Sequence, residues 1–155
     1  MNHSPADIIA RMLYTSSGAL FSLPAVGESD VWPIYTTSMP DGDGVPDDCA
    51  CVFDTAGEKK GRLLDGRSMY SHGFQVLIRS SMHRDGWKKA VDLEALFEET
   101  HNEEVVFDES GDEAGTYLID VITQTSPILC LGNEQPQGRR QLFSINCLVM
   151  MKQTS

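Results

Sequence analysis

The chain has little positive charge and no long apolar run, and these absences exclude several classes of protein. It carries 12 lysine and arginine residues against 23 aspartate and glutamate residues, giving a formal net charge of −11. Such a surface repels phosphate, so nonspecific nucleic-acid binding by the whole surface is not expected. No stretch approaches the ~18 apolar residues of a membrane span, and the first residues lack the basic and apolar segments of a secretory signal.

Cysteines are few, and their spacing is poor for a metal site. The four of them stand at positions 49, 51, 130 and 147. Cys49 and Cys51 are separated by one residue, whereas a zinc site usually has a spacer of two to four residues. The later histidines His72, His83 and His101 show no paired spacing with them. We therefore expect reduced, structural cysteines, three of them in apolar runs, and no metal ligands.

Sequence motifs for catalysis are also missing. There is no Gly-rich phosphate loop and no G-x-S-x-G nucleophile elbow. Ser71 and His72 are neighbours on a predicted strand, so their side chains point to opposite faces and are poorly placed to share a proton. A small hydrolytic enzyme that uses Asp54, His72 or His83 as acid or base remains an alternative. We assign no catalytic, cofactor-binding or metal residue and expect no cofactor.

An acidic, Gly-containing segment over residues 38–48 carries four carboxylates close together. An EF-hand would need a ligand where Val45 stands and a glycine where Pro46 stands, so the calcium pattern fails. The favoured interpretation is a solvated, turn-forming loop, and a weak site for a hard cation is the alternative. The carboxylates concerned are Asp41, Asp43, Asp47 and Asp48.

Composition is that of a globular domain, with 41% hydrophobic and 23% charged residues. The length of 155 residues favours one domain over residues 1–155. Two helices are predicted. The first has Ser4 as its cap, Pro5 at its first position and Asp7 three residues after the cap, and it ends near residues 16–18. The second covers residues 87–100, with apolar positions on one side.

Strands fill most of the remaining sequence. They are predicted from alternating or continuous apolar patterns, with a turn or mobile tip at 55–61, a polar segment at 62–71, and loops at 108–115 and 132–138. No regular alternation of strands and helices appears, so a parallel doubly wound sheet is not expected. The predicted fold class is α+β: a mainly antiparallel sheet with two α-helices on one face, plus long polar loops. The predicted strands are 31–37, 49–54, 73–81, 103–107, 117–122, 128–131 and 142–151.

Two features are compatible with self-assembly. The segments 38–48 and 55–72 are long and polar for so small a domain, which often marks function. The last strand is apolar on nearly both faces, which a central position in the sheet explains equally well. Three short basic pairs are either solvated surface or contacts to an acidic partner, including another copy of the chain. They are Lys59-Lys60, Lys88-Lys89 and Arg139-Arg140.

Several segments in order resemble the tail terminator, or minor capsid, proteins of tailed bacteriophages. Together they extend over nearly the whole chain, from about residue 5 to residue 153, as short pieces and not as one diagnostic motif. The matching segments are PIY (33–35), VFDTAG (52–57), GR (61–62), DGR (65–67), HGFQVLIR (72–79), GWKKA (86–90), ILCLG (128–132) and RQLFSIN (140–146).

The resemblance implies an α+β subunit that forms a ring, typically a hexamer, in the virion. Such a ring caps the head-proximal end of the tail tube, ends tube polymerisation and presents a surface to the head–tail connector. The implied partners are other copies of the chain, the tail tube protein and a connector or stopper protein, and DNA passes the lumen without specific binding. The family carries no catalytic residue to transfer. Another neck component, such as a head–tail stopper, is the nearest alternative.

Overall fold

The computed structural model describes residues 1–15, 20–22, 32–42, 44–108, 110–133 and 140–154, and within them the protein has an α+β fold. Two α-helices, a short 3-10 helix and eight strands occur in this part of the chain. In order they are α1 Pro5–Thr15, β1 Phe21–Ser22, β2 Trp32–Thr36, β3 Cys49–Arg62, β4 Ser68–Ser80, α2 His83–Glu99, β5 His101–Phe107, the 3-10 helix Gly111–Glu113, β6 Gly115–Gln124, β7 Leu129–Asn133 and β8 Gln141–Gln153.

The strands form one mixed sheet in the order β1-β2-β3-β4-β8-β6-β5, and β7 pairs with β8 beside this path. The pairings β1–β2 and β2–β3 are parallel, and the other five are antiparallel. β8 therefore has β4 on one side and β6 and β7 on the other. This central position accounts for the apolar residues on both faces of the last strand.

The predicted start of α1 is confirmed. The Ser4 hydroxyl accepts a hydrogen bond from the Asp7 backbone N–H at 3.2 Å and donates to the Asp7 carboxylate at 2.9 Å. The Asp54 carboxylate of β3 accepts a further bond, from the Ala6 N–H at 2.9 Å. Two side chains thus satisfy N–H groups that the helix leaves unpaired in its first turn. The predicted end of this helix, at residues 16–18, lies outside the described residues.

The predicted start of α2 is wrong by four residues. The helix begins at His83, so Asp85 and Gly86 lie in its first turn and do not form a connecting turn. Gly86 is buried, and a Cβ there would lie 2.5 Å from the Phe143 ring and 2.9 Å from the Ser80 side chain. The glycine is needed because helix and sheet approach closely, a reason that local sequence does not reveal.

The prediction of a turn at residues 55–61 is also wrong. β3 continues through these residues to Arg62 and pairs with β4 in a long hairpin, which turns at residues 63–67. The register shifts between Thr55 and Glu58 and again between Lys59 and Gly61. Such bulges let a strand accommodate an extra residue or a glycine and still continue. The glycines and lysines of residues 55–61, which favour a turn in sequence, therefore do not end β3.

The core packs both helices against strand residues of the sheet. Phe97 of α2 meets Phe74 of β4 edge to face, with ring centroids 5.5 Å apart. Ile9 of α1 and Val76 of β4 belong to the same buried cluster. Of the predicted apolar face of β8, Met151 is only half-buried, while the remaining members are buried: Phe143, Ile145, Cys147 and Val149.

β1 was not predicted, and Lys89 explains how so short a strand is held. The Lys89 ammonium donates to the Leu20 carbonyl at 3.1 Å and lies 5.4 Å from the Phe21 ring centroid and 5.0 Å from that of Trp32. Burial lowers the pKa of Lys89. A lysine of α2 thus fixes the first strand through one hydrogen bond and two cation–π contacts.

Candidate functional site

The hairpin formed by β3 and β4 continues past the residues that pair with the neighbouring strands, and its outer part lies beside the end of β8 across a cavity lined by Tyr70 and Met151. β2 pairs with β3 as far as Val52, and β8 pairs with β4 from His72 onward. In the described part of the chain, residues 55–71 have strand partners only within the hairpin. We call residues 55–70 the arm. Bulges add residues to β3, so β4 sets the length of the ribbon: its residues 68–71, which pair with β3, span about 13 Å, and the turn at residues 63–67 lies beyond them.

Two glycines let the strands approach closely where the arm leaves the body. A Cβ on Gly57 would lie 2.2 Å from the Ser71 carbonyl oxygen, and a Cβ on Gly73 would lie 2.2 Å from the Ala56 carbonyl oxygen. Both neighbours are backbone atoms and cannot move aside cheaply. The base of the arm is therefore fixed by steric requirements, in contrast to its exposed tip.

The surface of the arm combines cations with exposed apolar side chains. Leu64 is fully exposed, and Leu63 and Tyr70 are about half exposed. The arm also carries four basic residues and only two acidic ones, on a chain whose net charge is −11. The basic residues are Lys59, Lys60, Arg62 and Arg67. Exposed apolar residues beside charges of the minority sign are typical of a surface that binds a partner.

A hollow at the base of the arm brings together two of the residues considered for catalysis. Asp54 and His72 both line this space of about 500 Å³, with Lys59, Tyr70 and Pro5 among its other walls. The Asp54 carboxylate is already engaged, because it accepts the bond from the Ala6 N–H. Burial lowers the pKa of His72, although the nearby Asp54 carboxylate acts in the opposite direction. Asp54 thus has a structural role in holding α1 on β3.

The pKa of His72 makes stability depend on pH. The folded state disfavours the imidazolium, whereas the unfolded chain takes up a proton near its ordinary pKa of 6.5. With respect to His72, the folded protein therefore has its full stability above pH 6.5 and loses stability as the pH falls below that value. Lowering the pH from about 7.5 to about 5.5 is expected to reduce the urea midpoint more in the wild type than in His72→Gln. His101→Gln, at an exposed position, is the control, and equal pH dependence of wild type and His72→Gln would contradict the assignment.

His83, the third residue considered for catalysis, lies apart from the hollow. Its ring meets Phe143 with centroids 5.2 Å apart, and its Nε2 lies 3.9 Å from the Cys130 sulfur. Cys130 is exposed, so the apolar run around it did not indicate a core position, whereas Cys51 and Cys147 are buried. Burial raises the pKa of Cys51 and of Cys147 to about 12, so both thiols stay protonated and make poor nucleophiles or ligands. The described residues contain no group of three His, Cys, Asp or Glu side chains that could hold a metal ion.

The acidic segment 38–48 is held by two buried arginines, so the prediction of a merely solvated loop is wrong in part. Arg79 of β4 is fully buried and donates to the Pro40 and Pro46 carbonyls, both at 2.6 Å. Arg140 donates to the Asp47 carboxylate at 2.8 Å and to the Gly42 carbonyl at 3.2 Å. The loop is therefore fastened at several points.

Asp48 of the same loop also has a structural partner. Its carboxylate accepts hydrogen bonds from the Ser80 hydroxyl at 2.9 Å and from the Ser81 backbone N–H at 3.0 Å. Asp41 remains exposed, and Asp43 lies outside the described residues. The Asp41 carboxylate accepts a hydrogen bond from the Gly42 N–H at 2.8 Å and lies 4.0 Å from the Arg140 guanidinium, so three of the four candidate cation ligands are engaged with protein groups.

The three basic pairs have different roles. Lys60 forms an ion pair within the arm, with Glu58 at 2.6 Å. Lys89 and Arg140 are structural, whereas Lys88 is exposed and Arg139 lies outside the described residues. The structural roles of Arg79, Arg140 and Lys89 were not predicted from the sequence. The one local signal was Arg79, a charged residue in a mostly apolar strand. From sequence alone, such a residue can either face solvent on the sheet surface or bind a loop.

No family model matches the chain, and no curated protein matches it significantly. Neither helix in the described part of the chain has the length and apolar run that crossing a membrane would need. The arm and the surface around it are therefore the features from which a function can be inferred.

Proposed function

We propose that this protein is a structural virion protein of a tailed bacteriophage that acts by ring assembly and not by catalysis. In this role it forms a ring, most simply a hexamer, at the head-proximal end of the tail tube, ends tube polymerisation and joins the tail to the head connector. The ordered resemblance to tail terminator proteins suggests the role, and the arm is the single structural observation that carries it.

The arm supports this proposal because an isolated two-stranded ribbon is only marginally stable in water. Its outer residues pair with no further described strand, a cavity separates them from the end of β8, and Leu63 and Leu64 are exposed near its tip. Such a ribbon gains stability when a neighbouring molecule covers it. A ring of identical subunits provides such a neighbour through heterologous contacts, in which one surface of a subunit meets a different surface of the next.

The charge of the chain suits a channel for DNA. With a net charge of −11, surfaces that face a lumen would repel the phosphate backbone and let DNA pass without binding. The proposed partners are other copies of the chain, the tail tube protein and the connector or stopper protein. The proposed location is the neck of the virion, after assembly in the host cytoplasm.

We further infer that the two helices cover the same face of a sheet that is antiparallel through most of its width. Phe97 of α2 packs on Phe74, and α1 packs in the cluster that contains Val76, whose side chain shares a face of β4 with Phe74. The loop held by Arg79 would then cover the opposite face. This arrangement leaves the arm and the outer edges for contacts between subunits.

Electron microscopy of the purified protein, alone and with tail tubes, tests the function. We expect rings with a central hole that attach to one end of the tubes. A chain that neither forms rings nor binds tubes would contradict the proposal. Virions that lack the protein separate the two neck roles, because loss of a terminator gives overlong or irregular tails, whereas loss of a stopper releases packaged DNA.

A further inference from the structure

The basic residues of the arm are concentrated on a small part of an acidic molecule. The arm contains four of the 12 lysine and arginine residues but only two of the 23 acidic residues. Its ion pairs among the described residues are internal, joining Lys60 to Glu58 and Arg67 to Asp65, each at 2.6 Å. No described acidic residue lies within ion-pair distance of Lys59 or Arg62, and both are exposed.

A second surface has the opposite charge. The second half of α2 and strand β5 contain no lysine or arginine between residues 90 and 107. Val91 and Val106 add exposed apolar area, at 41% and 45% exposure. We call this surface the acidic edge, because β5 is the last strand of the sheet on that side. Its carboxylates are Asp92, Glu94, Glu98, Glu99, Glu103 and Glu104, and all but the half-buried Glu94 are exposed.

The sheet order separates the arm from the acidic edge of the same molecule. β8 and β6 lie between β4 of the arm and β5, and three strand spacings amount to roughly 14 Å. The two surfaces are complementary in charge, and each has exposed apolar residues. The two surfaces belong to different strands of the sheet, and a second copy can bring its arm to the edge of the first.

We propose that the arm of one copy docks on the acidic edge of the next. This rests on the proposed ring assembly and identifies its subunit contact. Copies with a net charge of −11 repel one another, and the basic arm on the acidic edge offsets that repulsion locally. The contact is heterologous, since two different surfaces meet, and such contacts generate closed rings when the rotation between copies closes.

Charge reversal on each side separately tests the docking. One variant carries Lys59→Glu with Arg62→Glu, and the other carries Glu103→Lys with Glu104→Lys. Each alone is expected to weaken self-association at least about tenfold in native mass spectrometry and sedimentation at low salt. Mixing the two is expected to restore assembly, because every arm then faces an edge of opposite charge in an alternating ring.

The design includes matched controls. Arg84→Glu with Lys88→Glu changes the net charge by the same amount as the arm variant, at exposed positions in the first turns of α2, and is expected to assemble more strongly than the arm variant. The edge variant keeps charged residues on β5, so any protection of this edge strand against aggregation is retained. Circular dichroism and the urea midpoint establish that each variant folds.

The outcomes distinguish the docking from the proposed function. If both reversed variants form rings as the wild type does, or if the mixture fails to restore assembly, the docking is overturned while the ring remains. If the reversed arm instead abolishes binding to tail tubes without changing ring formation, the arm binds the tube protein and the docking is again overturned. A wild type that stays monomeric with and without tubes overturns both proposals.

Discussion

Replacing the buried Arg79 by methionine is expected to lower the free energy of unfolding by about 3 kcal/mol, since two hydrogen bonds from a charged donor are lost at roughly 1.5 kcal/mol each. The guanidinium connects β4 to the Pro40 and Pro46 carbonyls, 2.6 Å from each. Methionine fills similar volume but donates no hydrogen bond, so Pro40 and Pro46 lose their hydrogen bonds to β4, while Arg140 still holds Gly42 and Asp47. Urea denaturation followed by fluorescence measures the loss.

Two further variants make this prediction specific. Arg79→Lys keeps the charge but cannot span two carbonyls with a planar fork, so it is expected to recover only part of the lost stability. Arg67→Met removes an arginine with a 78% exposed side chain and is expected to leave the urea midpoint nearly unchanged. Equal midpoints for Arg79→Met and Arg67→Met would show that the buried arginine does not hold the loop.

Removing the arm is expected to abolish ring formation and to leave the body folded. Glu58 and Ser71 lie directly opposite each other. An Asn-Gly turn can therefore replace residues 59–70 and connect these two residues as a two-residue hairpin loop. None of the removed residues is buried. The urea midpoint should therefore change little, while native mass spectrometry should detect monomers at concentrations where the wild type assembles.

A milder variant guards against misfolding of the shortened chain. Leu63→Ser with Leu64→Ser keeps the length and charge of the arm and removes two exposed apolar side chains. It is expected to weaken assembly without changing the unfolding midpoint. Persistent rings in both variants would show that the arm has no part in assembly, and the proposed function would then lose its principal structural support.

The sequence predicted those parts of the fold whose causes are local. Ser4 and Asp7 specify the first turn of α1 by hydrogen bonds within four residues, and that prediction is confirmed. The start of α2 depends instead on packing, since Gly86 is required by the nearby Phe143 ring. Without that contact in view, Asp85-Gly86 resembles an ordinary turn.

The candidate site was predictable only as a segment. Residues 55–72 stand out in sequence as long and polar, but their glycines and lysines indicate a loop and not a paired ribbon. Whether β3 ends at Asp54 or continues to Arg62 depends on β4, which pairs with it from the far side of the hairpin turn. Likewise, Arg79 shares a strand face with Gln75 and Leu77, and only the folded loop reveals what its guanidinium binds.

The close contact at the base of the arm has a consequence for sequence divergence among proteins built on this plan. At Gly57 and Gly73 any side chain would collide with backbone, so substitutions at the base of the arm are excluded whatever the protein's function. The exposed residues between them face no such barrier. Substitutions at the exposed tip can therefore change which partner the arm binds while the fold of the body stays the same.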